Sequence, residues 1–211
     1  MNRPHSPYRQ FVFDSYELSR KRRAIFLRYR LDDAVRFEEV LELPRDISLP
    51  DEVSPLLDRA LFYLHLIGGI SYFKTYLPPE MVVKSGVLDK PEAIFWNKLY
   101  TCGLGEFFYK NKIDFRGLVR FPSGTRQEIA SSPPPKAAPR NDGNTFAMTM
   151  LPLGGGKDSL VSAELLAQSG RDFDLFTLGD HPMLERIAKK LGKRRIVVSR
   201  HLSPELFKLN S

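Results

Sequence analysis

The chain has 211 residues, 42% of them hydrophobic and 27% charged, an ordinary balance for a folded globular protein of one large or two small domains. Its only cysteine is Cys102, which excludes an intrachain disulfide and a cysteine-rich metal site and suits a reducing cytoplasm. The 32 basic and 25 acidic residues leave +7, which favours an anionic partner without choosing among nucleotides, phosphorylated metabolites and RNA.

Met1–Gln10 is polar and lacks the apolar core of a secretory signal. From Gln10 to Leu43 the pattern predicts antiparallel strands, with Phe11 and Phe13 alternating against Val12 and Asp14, then Ile25–Tyr29, then Val35–Leu43. Arg20, Lys21, Arg22 and Arg23 fall between two of these strands and read as a solvated hairpin end. Leu57, Ala60, Leu61 and Leu64 recur at helical spacing after Ser54-Pro55, which supplies a cap and a first-turn proline. The apolar stretch around Ala60–Ile70 is broken by His65 and Gly68-Gly69, and falls well short of the roughly 20 apolar residues of a membrane span. Further helices are expected from about Glu92 to Tyr100 and from about Glu106, with Gly103 and Gly105 interrupting them.

The stretch from Pro122 to Asn144 differs in kind, with three consecutive prolines at 133–135 and almost no large apolar side chain. It reads as a linker, and divides an α+β domain at 1–121 from an α/β segment at 145–211. In that segment Phe146–Leu153 has the continuous apolar texture of a strand buried on both faces. A helix over Ser159–Gln168 closed by Gly170, a strand over Phe173–Leu178, a helix over Pro182–Leu191 ended by Gly192, and a strand at Ile196–Val198 follow. Alternating strands and helices imply a parallel sheet with right-handed crossovers.

The junction of the first strand and helix here reads Gly154-Gly155-Gly156-Lys157-Asp158-Ser159. Adjacent glycines permit positive φ and close backbone approach, so their N–H groups and the following helix N-terminus can cradle an anion. Ser159 is expected to cap that helix and to donate to a phosphate oxygen, and Lys157 adds charge. Asp158 would repel phosphate unless a cation intervenes, so it is the candidate Mg²⁺ contact. The order Lys157-Asp158 does not fit the Walker loop, and Ser159 does not fit the dinucleotide fingerprint.

These residues resemble the Ser-Gly-Gly-x-Asp-Ser loop of the PP-loop ATP pyrophosphatases, with Gly154 in place of the first serine. The resemblance implies ATP binding at Gly154–Ser159 and attack on the α-phosphorus, giving an adenylated substrate and pyrophosphate. His65–Lys74, Pro78-Pro79-Glu80, Gly103–Phe107 and Ser203–Phe207 are similar to the bacterial epimerases that invert the terminal L-glutamate of UDP-N-acetylmuramoyl-L-alanyl-L-glutamate in cell-wall synthesis. What that resemblance implies is activation of the glutamate carboxylate by ATP, which removes the charge opposing loss of the α-proton. Cofactor-free racemases use paired cysteines, a pair that Cys102 alone cannot supply.

His65 and Glu106 are candidate acid/base residues because apolar or small neighbours could shift their pKa. Each also has an ordinary reading, a satisfied core histidine for His65 and a helix-cap partner for Glu106, while Cys102 reads as a small buried side chain. Tyr72, Phe73 and Tyr76 read as core and not as a uracil-stacking platform. Two alternatives stay open: a PP-loop tRNA-modifying enzyme of lysidine type, which would use the +7 charge, and a non-catalytic ATP-binding fragment. The chain is expected to hold only the opening half of its nucleotide domain, and so to self-associate and lack turnover by itself.

Overall fold

The computed structural model describes residues 5–124 and 149–209. From residue 125 onward the expected linker lies outside the described residues, as do Phe146–Met148.

The first three strands are β1 (Gln10–Ser19), β2 (Ala24–Leu31) and β3 (Val35–Glu42), an antiparallel meander as the alternation predicts. Period two sends Ile25, Leu27, Tyr29 and Leu31 of β2 to one buried face. The arginine-rich hairpin end turns partly inward. Arg23 donates to the carbonyls of Pro44 and Ile47 at 2.7 and 2.6 Å, Arg20 donates to that of Pro50 at 2.7 Å, and Arg22 lies over the Phe26 ring.

Helix α1 (Pro55–Gly68) starts where Ser54 accepts from the Leu57 N–H, and α2 (Ile70–Phe73) follows directly. The bend between them needs Gly69, because a Cβ there would collide with the Phe13 ring. Strand β4 (Glu80–Val83) lies parallel to β1 at a sheet edge and was not expected from the sequence. Helix α3 (Lys90–Gly103) opens with a reciprocal capping box between Asp89 and Glu92, and α4 (Gly105–Lys110) follows. Gly103 does not interrupt α3 but forms its last residue.

The second described segment runs β5 (Thr149–Pro152), α5 (Lys157–Gln168), β6 (Phe173–Leu178), α6 (Pro182–Leu191), β7 (Arg195–His201) and α7 (Pro204–Lys208). Strands β5, β6 and β7 are parallel, and α6 ends at Gly192 in the left-handed region, φ 62°. Strand β7 also pairs antiparallel with β3, setting Val40, Leu41 and Glu42 against His201, Arg200 and Ser199. Among the described residues the expected antiparallel and parallel segments therefore share one mixed seven-stranded sheet, ordered β4-β1-β2-β3-β7-β6-β5, in an α/β fold.

Two apolar clusters fill the molecule. The larger packs Phe11, Phe13, Tyr29, Tyr72, Trp96 and Tyr100 between the meander and α1–α4. The smaller holds Leu153, Ala163, Phe173, Leu175, Leu184 and Ala188 between the parallel strands and α5 and α6. The expectation that the β5 run is buried on both faces is corrected, since Met150 is 53% exposed. Among the described residues β5 is an end strand of the sheet, and α5 covers its Leu151 and Leu153 side.

Candidate functional site

The glycine turn lies where β5 hands over to α5, at the C-terminal end of a parallel strand. That is where open α/β sheets place their ligands. The Leu153 N–H donates to the Phe176 carbonyl at 2.7 Å, which ties the start of the turn to β6. Gly155 has φ +79°, and a Cβ there would stand 2.6 Å from Met183 Cε and 3.3 Å from Leu184 Cδ2 on α6. The left-handed backbone therefore favours glycine at 155, and any side chain there would push the flexible end of Met183 aside. Gly154 and Gly156 do not have positive φ, and a Cβ on either would meet nothing within 4 Å. At those positions glycine leaves open room beside the backbone.

Gly156 is the N-cap of α5, with φ −79° and ψ 163°, and no side chain caps the helix. The expected cap at Ser159 is therefore corrected. The helix starts two residues earlier than expected, so Ser159 lies inside its first turn and donates to the Gly156 carbonyl at 2.9 Å. The N–H groups of Lys157, Asp158 and Ser159 are first-turn donors, which lack intrahelical acceptors and carry the positive end of the helix dipole. Lys157 and Asp158 are exposed beside them. Among the described residues no group of three or more His, Cys, Asp or Glu is gathered as a metal site. A single Asp158 is compatible with Mg²⁺, which commonly takes one or two protein carboxylates together with phosphate oxygens.

Two buried polar atoms on the neighbouring strands β6 and β7 lack hydrogen-bond partners among the described residues. Thr177 Oγ1 lies on β6 alongside Leu153, and Arg195 Nη1 belongs to a guanidinium whose Nη2 donates to Asp180, just past β6, at 2.8 Å. Neither residue stood out in the sequence, where both sit inside ordinary strand patterns.

The structure does not bring His65 or Glu106 to the turn. His65 is fully buried on α1, stacked on Tyr29 at 4.7 Å, with Nε2 2.9 Å from the Arg28 carbonyl and Nδ1 3.0 Å from Ser85 Oγ. Since a carbonyl only accepts, Nε2 carries the proton and Nδ1 accepts from Ser85. Burial pushes the imidazole down to about 4, against the smaller opposing pulls of the Arg28 carbonyl and Asp14. Glu106 is exposed in the first turn of α4 and pairs with Lys110. Cys102 is exposed, which corrects the buried reading, because it lies on the outer side of the last turn of α3. Tyr72 and Phe73 are fully buried and Tyr76 partly so.

A second concave feature lies one strand away. A cavity of about 500 Å³ opens between α1, α2, the inner face of β2 and β3, and the C-terminal halves of β6 and β7. In its wall Arg200 grips Glu39 through two bonds, Nε to Oε1 at 2.7 Å and Nη2 to Oε2 at 3.1 Å, and Nη2 also donates to Ser71 Oγ at 3.3 Å. A charge at Glu39, between the inward-facing Phe37 and Leu41, breaks the strand's alternation. That break was the one legible sign of this pair.

Fold and turn together define a mixed-sheet α/β protein with a glycine-rich strand-to-helix junction exposed at a strand end. Residues 2–211 match the family described as the MurL N-terminal domain, and the chain belongs to that family. It is 32% identical over 213 residues to a UDP-N-acetyl-alpha-D-muramoyl-L-alanyl-L-glutamate epimerase of Xanthomonas oryzae pv. oryzae, covering 94% of this chain and 45% of the relative. Epimerases of the same name from Salinispora tropica and a Micromonospora species are 32% and 30% identical, covering 95% of this chain and 43% and 44% of theirs. The chain thus spans less than half the length of these curated relatives. No solved structure matches it. Among the described residues no helix is long and apolar enough to cross a membrane.

Proposed function

We propose that this chain supplies the ATP-binding part of an epimerase that converts the terminal L-glutamate of UDP-N-acetylmuramoyl-L-alanyl-L-glutamate to D-glutamate for peptidoglycan synthesis. The observation that carries the ATP reading is the first turn of α5, without a side-chain cap, behind Gly154 and Gly156, beside whose backbone the space is open. The substrate is carried by the names of the relatives.

In this reading the Gly156–Ser159 backbone holds a phosphate group, Lys157 adds positive charge, and Asp158 holds Mg²⁺ against the phosphates. Bound ATP would supply activation of the glutamate carboxylate as its adenylate, with pyrophosphate and then AMP released. Gly155 keeps the turn folded down on Met183 and Leu184, so that the strand end stays clear for the ligand. His65 offers no acid/base proton in its present setting, because both ring nitrogens are engaged and the ring is out of water.

ATP binding is measured by equilibrium dialysis on this chain with Mg²⁺. Gly155→Val should weaken it by at least about tenfold, since a β-branched residue resists positive φ and displaces the turn. Unchanged affinity in a folded variant would refute the cradle. For turnover, a full-length relative should release AMP and pyrophosphate with the muropeptide and exchange solvent deuterium into the glutamate α-carbon. ADP formation, or stimulation by tRNA in place of the muropeptide, would overturn the substrate assignment.

A further inference from the structure

The cavity beside β6 and β7 has the size of a ligand pocket and a mostly apolar wall, formed by Leu41, Leu64, Ile67, Phe176, Leu178 and Val198. Its polar groups are Glu39, Ser71 and Arg200. The Glu39 side chain is only 2% exposed, whereas Arg200 keeps 30% of its side chain accessible. Glu39 and Ser71 occupy the Nε and Nη2 groups of the guanidinium, while Nη1 has no protein partner among the described hydrogen bonds. A guanidinium in the cavity wall, held in place by Glu39 and Ser71, thus keeps one donor group without a protein partner, which suits a carboxylate on a small, largely apolar body.

Strand β6 links the cavity to the glycine turn. Phe176 and Leu178 line the cavity, and the Phe176 carbonyl is the group that anchors Leu153 just before the glycines. Both features lie at C-terminal strand ends of one parallel sheet, β5 and β7 being two strand spacings or about 10 Å apart. We propose that this cavity seats the acidic end of the acceptor peptide, with Arg200 holding the side-chain carboxylate of a terminal glutamate. The inference rests on the acceptor named under the proposed function. Glu39 acts as a positioning residue, fixing the guanidinium plane so that little is lost in ordering it when the carboxylate arrives. The mouth at Leu178 keeps the glutamate α-carboxylate on the side of the glycine turn.

Calorimetric titration of this chain, without ATP, compares UDP-N-acetylmuramoyl-L-alanyl-L-glutamate with the corresponding L-glutamine-ended ligand. The glutamate form should bind about tenfold or more tightly, because only it completes the charge-assisted bond. Replacing Arg200 alone would strand a buried carboxylate, so the test variants are the paired Glu39→Leu/Arg200→Met, which removes both charges, and Leu178→Trp, which fills the mouth from a half-exposed position. The paired variant should lose the preference for glutamate, and Leu178→Trp should weaken both ligands. Equal affinity for the two ligands, or no effect of either variant, overturns the proposal. ATP titration of the same proteins separates the two readings. Loss of ATP binding with the glutamate preference intact refutes only the nucleotide site, and ATP binding without the preference refutes only this cavity.

Discussion

Acidification from about pH 7.5 to about pH 5 should cost the fold roughly 2 kcal/mol through His65 alone. An ordinary histidine titrates near 6.5, whereas burial holds this one at about 4. Below 6.5 the unfolded chain takes up a proton that the folded chain refuses. The contribution is therefore fully present above 6.5 and is lost as the pH falls towards 4, at about 1.4 kcal/mol per pH unit. The whole window is worth about 3 kcal/mol, and pH 5 lies rather more than halfway through it. Asp14 pulls in the opposite direction but is shared with Arg30, Arg28 presents its carbonyl, and the Tyr16 and Tyr29 rings beside His65 stay neutral over this range. Urea unfolding of wild type and His65→Gln at both pH values reads the effect, because glutamine keeps one donor and one acceptor without titrating. Wild type should lose about 2 kcal/mol more than the variant on acidification, and equal losses would refute the reasoning.

Glu39→Gln should destabilise the fold by about 2–3 kcal/mol in urea melts, since it leaves a partly buried guanidinium without its counter-charge; the loss should persist in high salt, and full recovery in salt would assign the pair to the surface class. Gly69→Ala should cost about 1–3 kcal/mol, because its methyl group meets the Phe13 and Tyr29 rings; an unchanged melting curve would mean that the α1–α2 bend yields freely. Cys102 should react with a thiol reagent such as dithionitrobenzoate in the native protein without a lag, and protection until denaturant is added would contradict its exposure.

The meander, α1 and the strand–helix alternation were legible because each carries a clean period and end signals, such as Ser54-Pro55 before α1 and Gly192 after α6. Strand β4 was not legible. Its Glu80-Met81-Val82-Val83 is too short to show a period, and it becomes a strand only through pairing with Gln10–Phe13. The pairing of β3 with β7 was hidden for another reason: nothing local in Val40–Glu42 or Ser199–His201 names a partner so far along the chain. At the glycine turn the sequence located the residues but misplaced the helix start. Ser159 is by type a stronger cap residue than Gly156, although Asp158 suits a first turn, and only the backbone shows Gly156 as the cap. Arg200 was not legible because a lone arginine in a strand is common, and its meaning comes from Glu39 on the neighbouring strand.

The Glu39–Arg200 bond joins residues 161 positions apart, which bears on how the chain reaches its fold. The meander consists of neighbouring hairpins and can close early, whereas β7 can dock on β3 only once the chain up to His201 is available. Until then β3 stands as an open edge carrying an inward-facing carboxylate. Any strand that occupied its place without a cation opposite Leu41 would bury Glu39 unpaired, so the same charge that fastens the finished sheet discourages premature partners. A Glu39→Leu/Arg200→Met chain should therefore lose more material to aggregation than wild type when refolded from urea, even where its native state is equally stable.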